Sequence, residues 1–370
     1  MKKIKVIIVA GARPNFMKVN PLIKQIENFN TDQNSNSDRI DSLLVHTGQH
    51  YDNNMSALFF RELGIPKPDI NLEVGSGSHA VQTANILTAF ETVCEREKPN
   101  WVVVVGDVNS TMACTLVCAK MGIRVAHIEA GLRSFDRTMP EEINRIVTDA
   151  LADLLLTPSE DADENLIREG ISKNKIKLVG NIMIDSLIDN HSKALSSDIL
   201  KKLRLEPARF IYVTLHRPSN VDERENLTRL MAGMEQLSKH YPVIWPIHPR
   251  TSKKLVEFGL ESRSNNKLIL LDPLGYHASL CLTENARVVL TDSGGLQEEA
   301  TFFRTPCLTL RPNTERPITL TLGSNRLTKI ERFLDDVIEV LDGPEKQGKV
   351  PPLWDGRAAE RTLKQLLFVS

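Results

Sequence analysis

Apolar residues fall along this chain in short unbroken runs, at 5–9, 43–46, 101–105, 125–128, 154–157 and 176–179. Between the runs they recur at helical spacing, as in 81–94 and 143–151. A strand that is apolar at every position is covered on both faces, which is the mark of a parallel sheet clad with helices. The pattern then restarts. Residues 210–215, 243–247, 268–271, 288–291 and 307–310 read as strands, with helices such as 227–237 between them. No stretch of sequence repeats; only the architecture does. The expectation is an α/β protein of two doubly wound domains, with ligand bound in a cleft at the carboxyl ends of the strands.

The length of 370 residues agrees, since one core rarely grows that large. The boundary is expected near Gly180 or in the polar stretch 192–207, giving domains 1–180 and 181–355. Residues 31–41, rich in Asn, Ser and Asp, predict a solvent loop, and 342–352 a connector. A last helix is expected over 358–367, and the segment 356–370 is placed back on the first domain by analogy alone.

Composition narrows the partners. Forty-six Lys and Arg against forty-seven Asp and Glu leave a net charge of -1, which gives no reason to expect nucleic acid or an anionic membrane surface. The five cysteines are odd in number and form no Cys-x-x-Cys pair, so a reducing cytoplasm is expected. The apolar run after Met1-Lys2-Lys3 is too short for a signal peptide and is broken by Arg13, Asn15 and Lys18. Nothing approaches the ~20 apolar residues that span a bilayer.

Candidate chemistry collects where the predicted strands end. The first runs into Gly11-Ala12-Arg13-Pro14-Asn15-Phe16-Met17-Lys18, where a glycine lets a ligand near the backbone and a cation by a helix start favours an anion. This is neither a Walker loop nor a dinucleotide fingerprint, and no cofactor is expected. Gly106-Asp107 and Glu129-Ala130-Gly131 follow two further strands. A carboxylate leaving an apolar strand is costly unless it serves a ligand or is well paired. Pro140-Glu141-Glu142-Ile143-Asn144-Arg145 reads as a helix start with acids at its positive end; Glu141 and Arg145, four apart, could pair with each other or with substrate.

In the second half, Asp292-Ser293-Gly294-Gly295-Leu296-Gln297-Glu298-Glu299 opens a helix with a hydroxyl and two glycines. Unpaired N–H groups there can bind a diphosphate, and Glu299, a turn further on, can accept from ribose hydroxyls. A capped helix would explain the hydroxyl, but it does not require both glycines. Arg311 and Thr314-Glu315-Arg316-Pro317 fall on the same edge; Arg311 suits a phosphate or, more plainly, a surface ion pair with Glu315. His216-Arg217-Pro218 and His248-Pro249-Arg250 close two more strands, where histidine can donate to a phosphate or move a proton. His46-Thr47-Gly48-Gln49-His50 lacks zinc spacing, so no metal is expected.

Taken in order, these residues resemble the non-hydrolysing UDP-N-acetylglucosamine 2-epimerase family. The likeness also takes in Thr47-Gly48-Gln49-His50, His127-Ile128-Glu129-Ala130-Gly131-Leu132-Arg133 and Leu215-His216-Arg217, and covers nearly the whole chain. It implies two Rossmann-like domains facing a cleft in a GT-B-like fold, a homodimer and hinge closure over a UDP-sugar. It further implies loss of UDP from carbon 1 with removal of the carbon 2 proton, then readdition after reprotonation on the other face. By position, Asp107, Glu129 and Glu141 match the carboxylates, with the base among them left open, and His216 matches the histidine beside the diphosphate. Arg13, Ser293, Gly294, Gly295, Glu299 and Arg316 match UDP-binding positions, and Lys18 and Arg145 match further site residues. Gln49 and His248 match positions tied to activation by a second substrate molecule in some bacterial members.

Two departures stand out. Ser279 occupies a position near the uracil where members commonly carry phenylalanine, and the spacing from Glu129 to Pro140 is two residues shorter than in some relatives. The expected activity is reversible epimerisation to UDP-N-acetylmannosamine for surface polysaccharide precursors. A hydrolysing relative releasing UDP and N-acetylmannosamine, an epimerase of a UDP-diacetamido uronic acid, a glycosyltransferase and a non-catalytic nucleotide-sugar sensor are the competing readings.

Overall fold

The computed structural model describes residues 3–32, 39–48, 62–260 and 267–368. The chain divides into two compact units, residues 1–189 with 352–370, and residues 190–351.

Unit 1 is built on a seven-stranded parallel sheet of order β3-β2-β1-β4-β5-β6-β7. Its strands are β1 (Lys3–Ala10), β2 (Arg39–His46), β3 (Ile70–Asn71), β4 (Trp101–Val105), β5 (Arg124–Ile128), β6 (Leu154–Thr157) and β7 (Ile176–Leu178). Helices α1 (Arg13–Asp32), α2 (His79–Glu97), α3 (Asn109–Met121), α4 (Pro140–Leu151) and α5 (Glu160–Arg168) cover it. β4 is buried at all five positions, which is why its sequence runs Trp-Val-Val-Val-Val without alternation. Helix α6 (Ile182–Leu195) carries the chain out of unit 1.

Unit 2 repeats the design with six parallel strands of order β10-β9-β8-β11-β12-β13. These are β8 (Ile211–Thr214), β9 (Val243–Pro246), β10 (Leu268–Leu271), β11 (Val288–Thr291), β12 (Cys307–Leu310) and β13 (Asn325–Thr328). Its helices, in chain order, are α7 (Ile199–Leu203), α8 (Pro218–Val221), α9 (Arg224–Ser238), α10 (Pro249–Phe258), α11 (Tyr276–Asn285), α12 (Gly294–Phe303), α13 (Ile318–Thr321) and α14 (Phe333–Asp342). Successive strand residues feed different cores. Ile211, Val213, Trp245, Val288 and Leu290 join one cluster, while Tyr212, Ile244 and Val289 join another. Both faces of this sheet are therefore dry.

The chain returns to unit 1 at Pro352 and ends in α15 (Ala358–Phe368), which packs on α1. Two strands escape the reading of apolar runs, β3 and β13. Both lie at sheet edges, where strands are short or polar. β13 hides its polar residues in bonds: Asn325 donates to Gln297 at 3.1 Å and Thr328 to Asp336 at 2.5 Å. The loop expected over 31–41 is narrower than that, because Thr31 and Asp32 end α1 and Arg39 begins β2. Residues 33–38 lie outside the described residues.

Candidate functional site

In a doubly wound sheet the strand order reverses at one place, and the carboxyl ends there leave a crevice for ligand. In unit 1 that place is between β1 and β4, followed by Gly11 and by Gly106-Asp107. β5 lies next to β4 in register, Val105 opposite Ile128, so Glu129 emerges beside Gly106. The Gly106 N–H donates to the Ile128 carbonyl at 3.1 Å.

Glu129 is buried and its Oε2 accepts from Lys18 Nζ at 2.5 Å. A Cβ on Gly106 would stand 3.2 Å from that Lys18 Nζ, and Gly106 also holds a left-handed φ of 69°. Glycine thus serves both the turn and the close approach of the cation. Glu129 itself has φ 66°, a conformation that costs a non-glycine residue on the order of 1 kcal/mol or more and recurs at functional sites. Asn15 ties this corner together, accepting from Ala12 N at 2.9 Å and donating to the Val105 carbonyl at 3.1 Å.

Asp107 is about one-third exposed and pairs with Arg145 Nη1. The guanidinium is buried and also donates from Nε and Nη2 to Glu142 Oε2, at 3.0 and 2.7 Å. Glu142 further accepts from the N–H groups of Ser134 and Phe135, both at 2.9 Å. Burial opposes its charge, but those N–H groups and Arg145 more than offset it, so Glu142 stays ionised below the usual carboxylate range. Glu142 is therefore the acid that holds Arg145, a role the sequence reading left unassigned. Glu141, one residue earlier in the first turn of α4, is exposed.

In unit 2 the order reverses between β8 and β11, and His216 and Asp292 follow those strands. Asp292 is fully buried. Its carboxylate accepts from His216 N at 2.9 Å, Arg217 N at 2.8 Å and Asn220 Nδ2 at 3.0 Å, and faces His216 Nδ1 at 2.9 Å. Burial pushes Asp292 upward, yet His216, Asn220 and Arg217 outweigh it and hold the carboxylate ionised. With Nδ1 committed to that carboxylate, Nε2 of His216 is the nitrogen left to meet a ligand. Asp292 was named in the sequence only as part of the glycine turn; its orienting function follows from the neighbouring strands. His248 stacks beside His216, with ring centroids 5.3 Å apart, and its Nδ1 accepts from Arg250 N to cap α10.

Ser293, Gly294 and Gly295 lie half-buried at the start of α12, and the Ser293 hydroxyl does not cap its own helix. A Cβ on Gly294 would stand 2.9 Å from Arg316 Nη1, so the missing side chain is what lets the guanidinium reach this helix start. Arg316 pairs with Glu315 and, through Nε at 2.9 Å, with Glu298. Arg311 does pair with Glu315, at 2.8 Å, but the pair is buried instead of on the surface. Glu299 is buried too; burial drives its pKa up to about 8 against a hydrogen bond from Tyr276, and neighbouring Glu298 adds to the rise. Ser279 accepts or donates to the Tyr212 hydroxyl at 2.8 Å.

The structure thus brings Asp107, Glu129, Lys18 and Arg145 together in unit 1, and His216, Ser293, Gly294, Gly295, Glu299 and Arg316 along one sheet edge in unit 2. Arg13 opens α1, but its side chain lies outside the described residues, as does Gln49 altogether. Among the described residues no cluster of three or more His, Cys, Asp or Glu is arranged to hold a metal ion, and no helix is long and apolar enough to cross a membrane.

The UDP-N-acetylglucosamine 2-epimerase family model matches residues 32–367. The UDP-N-acetylglucosamine 2-epimerase of Methanocaldococcus jannaschii is 42% identical over 373 residues, covering 98% of this chain and 99% of that protein. Its crystal structure in complex with UDP-GlcNAc and UDP superposes with a TM-score of 0.87 at 41% identity, covering 99% of this chain and 100% of that one. The UDP-2,3-diacetamido-2,3-dideoxy-D-glucuronate 2-epimerase of Pseudomonas aeruginosa is 40% identical over 338 residues, 90% of each chain. With two doubly wound sheets and a match of this extent, the chain belongs to the UDP-N-acetylglucosamine 2-epimerase family of isomerases.

Proposed function

We propose that the protein converts UDP-N-acetylglucosamine reversibly into UDP-N-acetylmannosamine by eliminating and re-adding UDP. The observation that carries this reading is the pair of carboxylates at the carboxyl edge of unit 1, Asp107 held by Arg145 and Glu129 held by Lys18. Carbon 2 of the sugar has no neighbouring carbonyl, so its proton cannot leave to give an enolate. Instead a carboxylate takes the proton, the C–H electrons form the carbon 1–carbon 2 double bond, and the carbon 1–oxygen bond breaks with its electron pair going to UDP. Reprotonation of carbon 2 on the opposite face and attack of the UDP oxygen on carbon 1 restore the nucleotide sugar. Holding both fragments together makes readdition effectively intramolecular.

In this reading Asp107, Glu129 and Glu141 share proton transfer and charge stabilisation. His216, held through Nδ1 by Asp292, turns Nε2 toward the departing phosphate, to which the ring donates once both of its nitrogens carry protons. Ser293, Gly294, Gly295, Arg13 and Arg316 receive the diphosphate, Glu299 the ribose, and Gln49 and His248 a second, activating substrate molecule. A homodimer, a cytoplasmic setting and supply of surface polysaccharide precursors belong to the same reading through the family resemblance. Five buried cysteines kept as free thiols support the reducing compartment. Likeness to the diacetamido uronate 2-epimerase favours a second reading, the same chemistry on a more oxidised sugar.

NMR of the purified protein with UDP-N-acetylglucosamine in deuterated buffer tests substrate and route together. Deuterium at carbon 2 of turned-over sugar nucleotide is expected, and its absence sinks the elimination route. Free UDP accumulating in step with product would indicate hydrolysis. Asp107→Asn and Glu129→Gln should abolish turnover while leaving UDP affinity within about tenfold. A protein that only sensed nucleotide sugars would lose nothing by either change.

A further inference from the structure

His127, the last residue but one of β5, lies fully buried, where an ionisable ring has to be accounted for. Its Nε2 lies 2.8 Å from the Gly106 carbonyl, and its Nδ1 lies 2.6 Å from Asp149 Oδ1. The other oxygen of Asp149 accepts from Gly131 N at 3.1 Å and pairs with Arg133 Nη1 at 2.7 Å. Gly106 immediately precedes Asp107, and Gly131 lies two residues past Glu129. One chain of side chains therefore spans the two backbone turns that carry the reacting carboxylates.

Those turns do not hold themselves. Gly106, Glu129 and Gly131 all have left-handed backbones, φ 69°, 66° and 79°. The glycines take that conformation freely, but Glu129 keeps it only where surrounding contacts impose it. The partners also fix the chemistry of the bridge. A carbonyl only accepts, and burial of Asp149 is outweighed by His127 and Arg133, which keep its carboxylate ionised. Both ring nitrogens face acceptors, a carbonyl at Nε2 and a carboxylate at Nδ1, so the ring is clamped between the two turns.

We propose that His127 is a positioning residue for the epimerisation, setting the spacing between Asp107 and Glu129 by bridging Gly106 to Gly131 through Asp149. The proposal rests on the epimerase reading above. Its consequence is that weakening the bridge slows proton transfer without touching nucleotide binding, because no member of the bridge belongs to unit 2.

The test uses His127→Gln and Asp149→Asn beside the wild-type protein, with ordinary and carbon 2-deuterated UDP-N-acetylglucosamine. Both variants should lower kcat about tenfold or more while KM and UDP affinity stay within about threefold. Both should also raise the deuterium isotope effect on kcat above the wild-type value. That ratio does not depend on how much of the protein is folded, so damaged structure alone cannot mimic it. An unchanged isotope effect, with kcat falling only in step with the folded fraction, overturns the proposal. If neither variant folds, nitrogen-15 NMR of histidine-labelled wild-type protein decides: both ring nitrogens of His127 engaged in hydrogen bonds support the clamp, and a ring nitrogen without one overturns it. A wild-type protein that leaves the sugar nucleotide unchanged would instead remove the epimerase reading, and the proposal with it.

Discussion

Glu299 shows how far a side chain's character depends on its neighbours. Its position, one turn into the helix after the glycine pair, marks it in the sequence as a ribose ligand. Its charge state is not legible there, because burial and the adjacent Glu298 raise its pKa to about 8 against a hydrogen bond from the Tyr276 hydroxyl. The unfolded chain has an ordinary glutamate near 4.3. Between those values the folded protein holds a proton that the unfolded protein has released. The stability this group supplies is complete below about pH 4 and is lost as pH rises toward 8, by at most about 1.4 kcal/mol per unit. Glu299→Gln cannot ionise and lacks that slope. Urea midpoints of the two proteins at about pH 5 and about pH 9 should converge or cross in favour of Glu299→Gln at the higher pH. A difference that stays constant with pH would show that the carboxyl is ionised throughout. Asp292 and Glu142 teach the same lesson, since each was visible as an acid near a strand end or helix start. What each one orients, His216 or Arg145, depends on contacts between distant segments.

At the scale of elements, the sequence speaks most clearly where burial is complete. The runs at 101–105, 154–157, 288–291 and 307–310 coincide with β4, β6, β11 and β12, because a strand covered on both faces has no polar positions to blur its ends. The edge strands β3 and β13 carry no such run and were illegible for the same physical reason. Helix α15 was readable, but not what starts it. Asp185, from α6, accepts from the first N–H groups of α15, Ala358 N at 3.1 Å and Ala359 N at 2.7 Å. This is an N-cap supplied from 173 residues away, so no local capping signal precedes the helix. Asp185→Ala should cost about 1–2 kcal/mol, as loss of a cap does, and should hasten amide exchange in 358–368 before the rest of unit 1. Asp185→Asn, which still accepts, should cost less. Equal exchange in the wild-type and Asp185→Ala proteins would mean that packing on α1 holds α15 without the cap.

Across the whole molecule, two sheets of like order bring different chemistry to their reversal points. Unit 1 presents carboxylates backed by Lys18 and Arg145; unit 2 presents His216, a glycine helix start and Arg316. The epimerase reading calls for both kinds of group, a base for the proton and donors for the departing diphosphate. Nucleotide and sugar should accordingly leave separable footprints. Hydrogen exchange with UDP alone is expected to protect 292–299 and 311–316 while leaving 106–108 and 129–131 near their free rates. On the epimerase reading UDP-N-acetylglucosamine should add protection at 106–108 and 129–131, where that reading brings the sugar to the carboxylates. Protection of 129–131 by UDP without the sugar, with 292–299 unaffected, would reverse the division of labour and place the nucleotide on the carboxylates, where its own charge would be repelled.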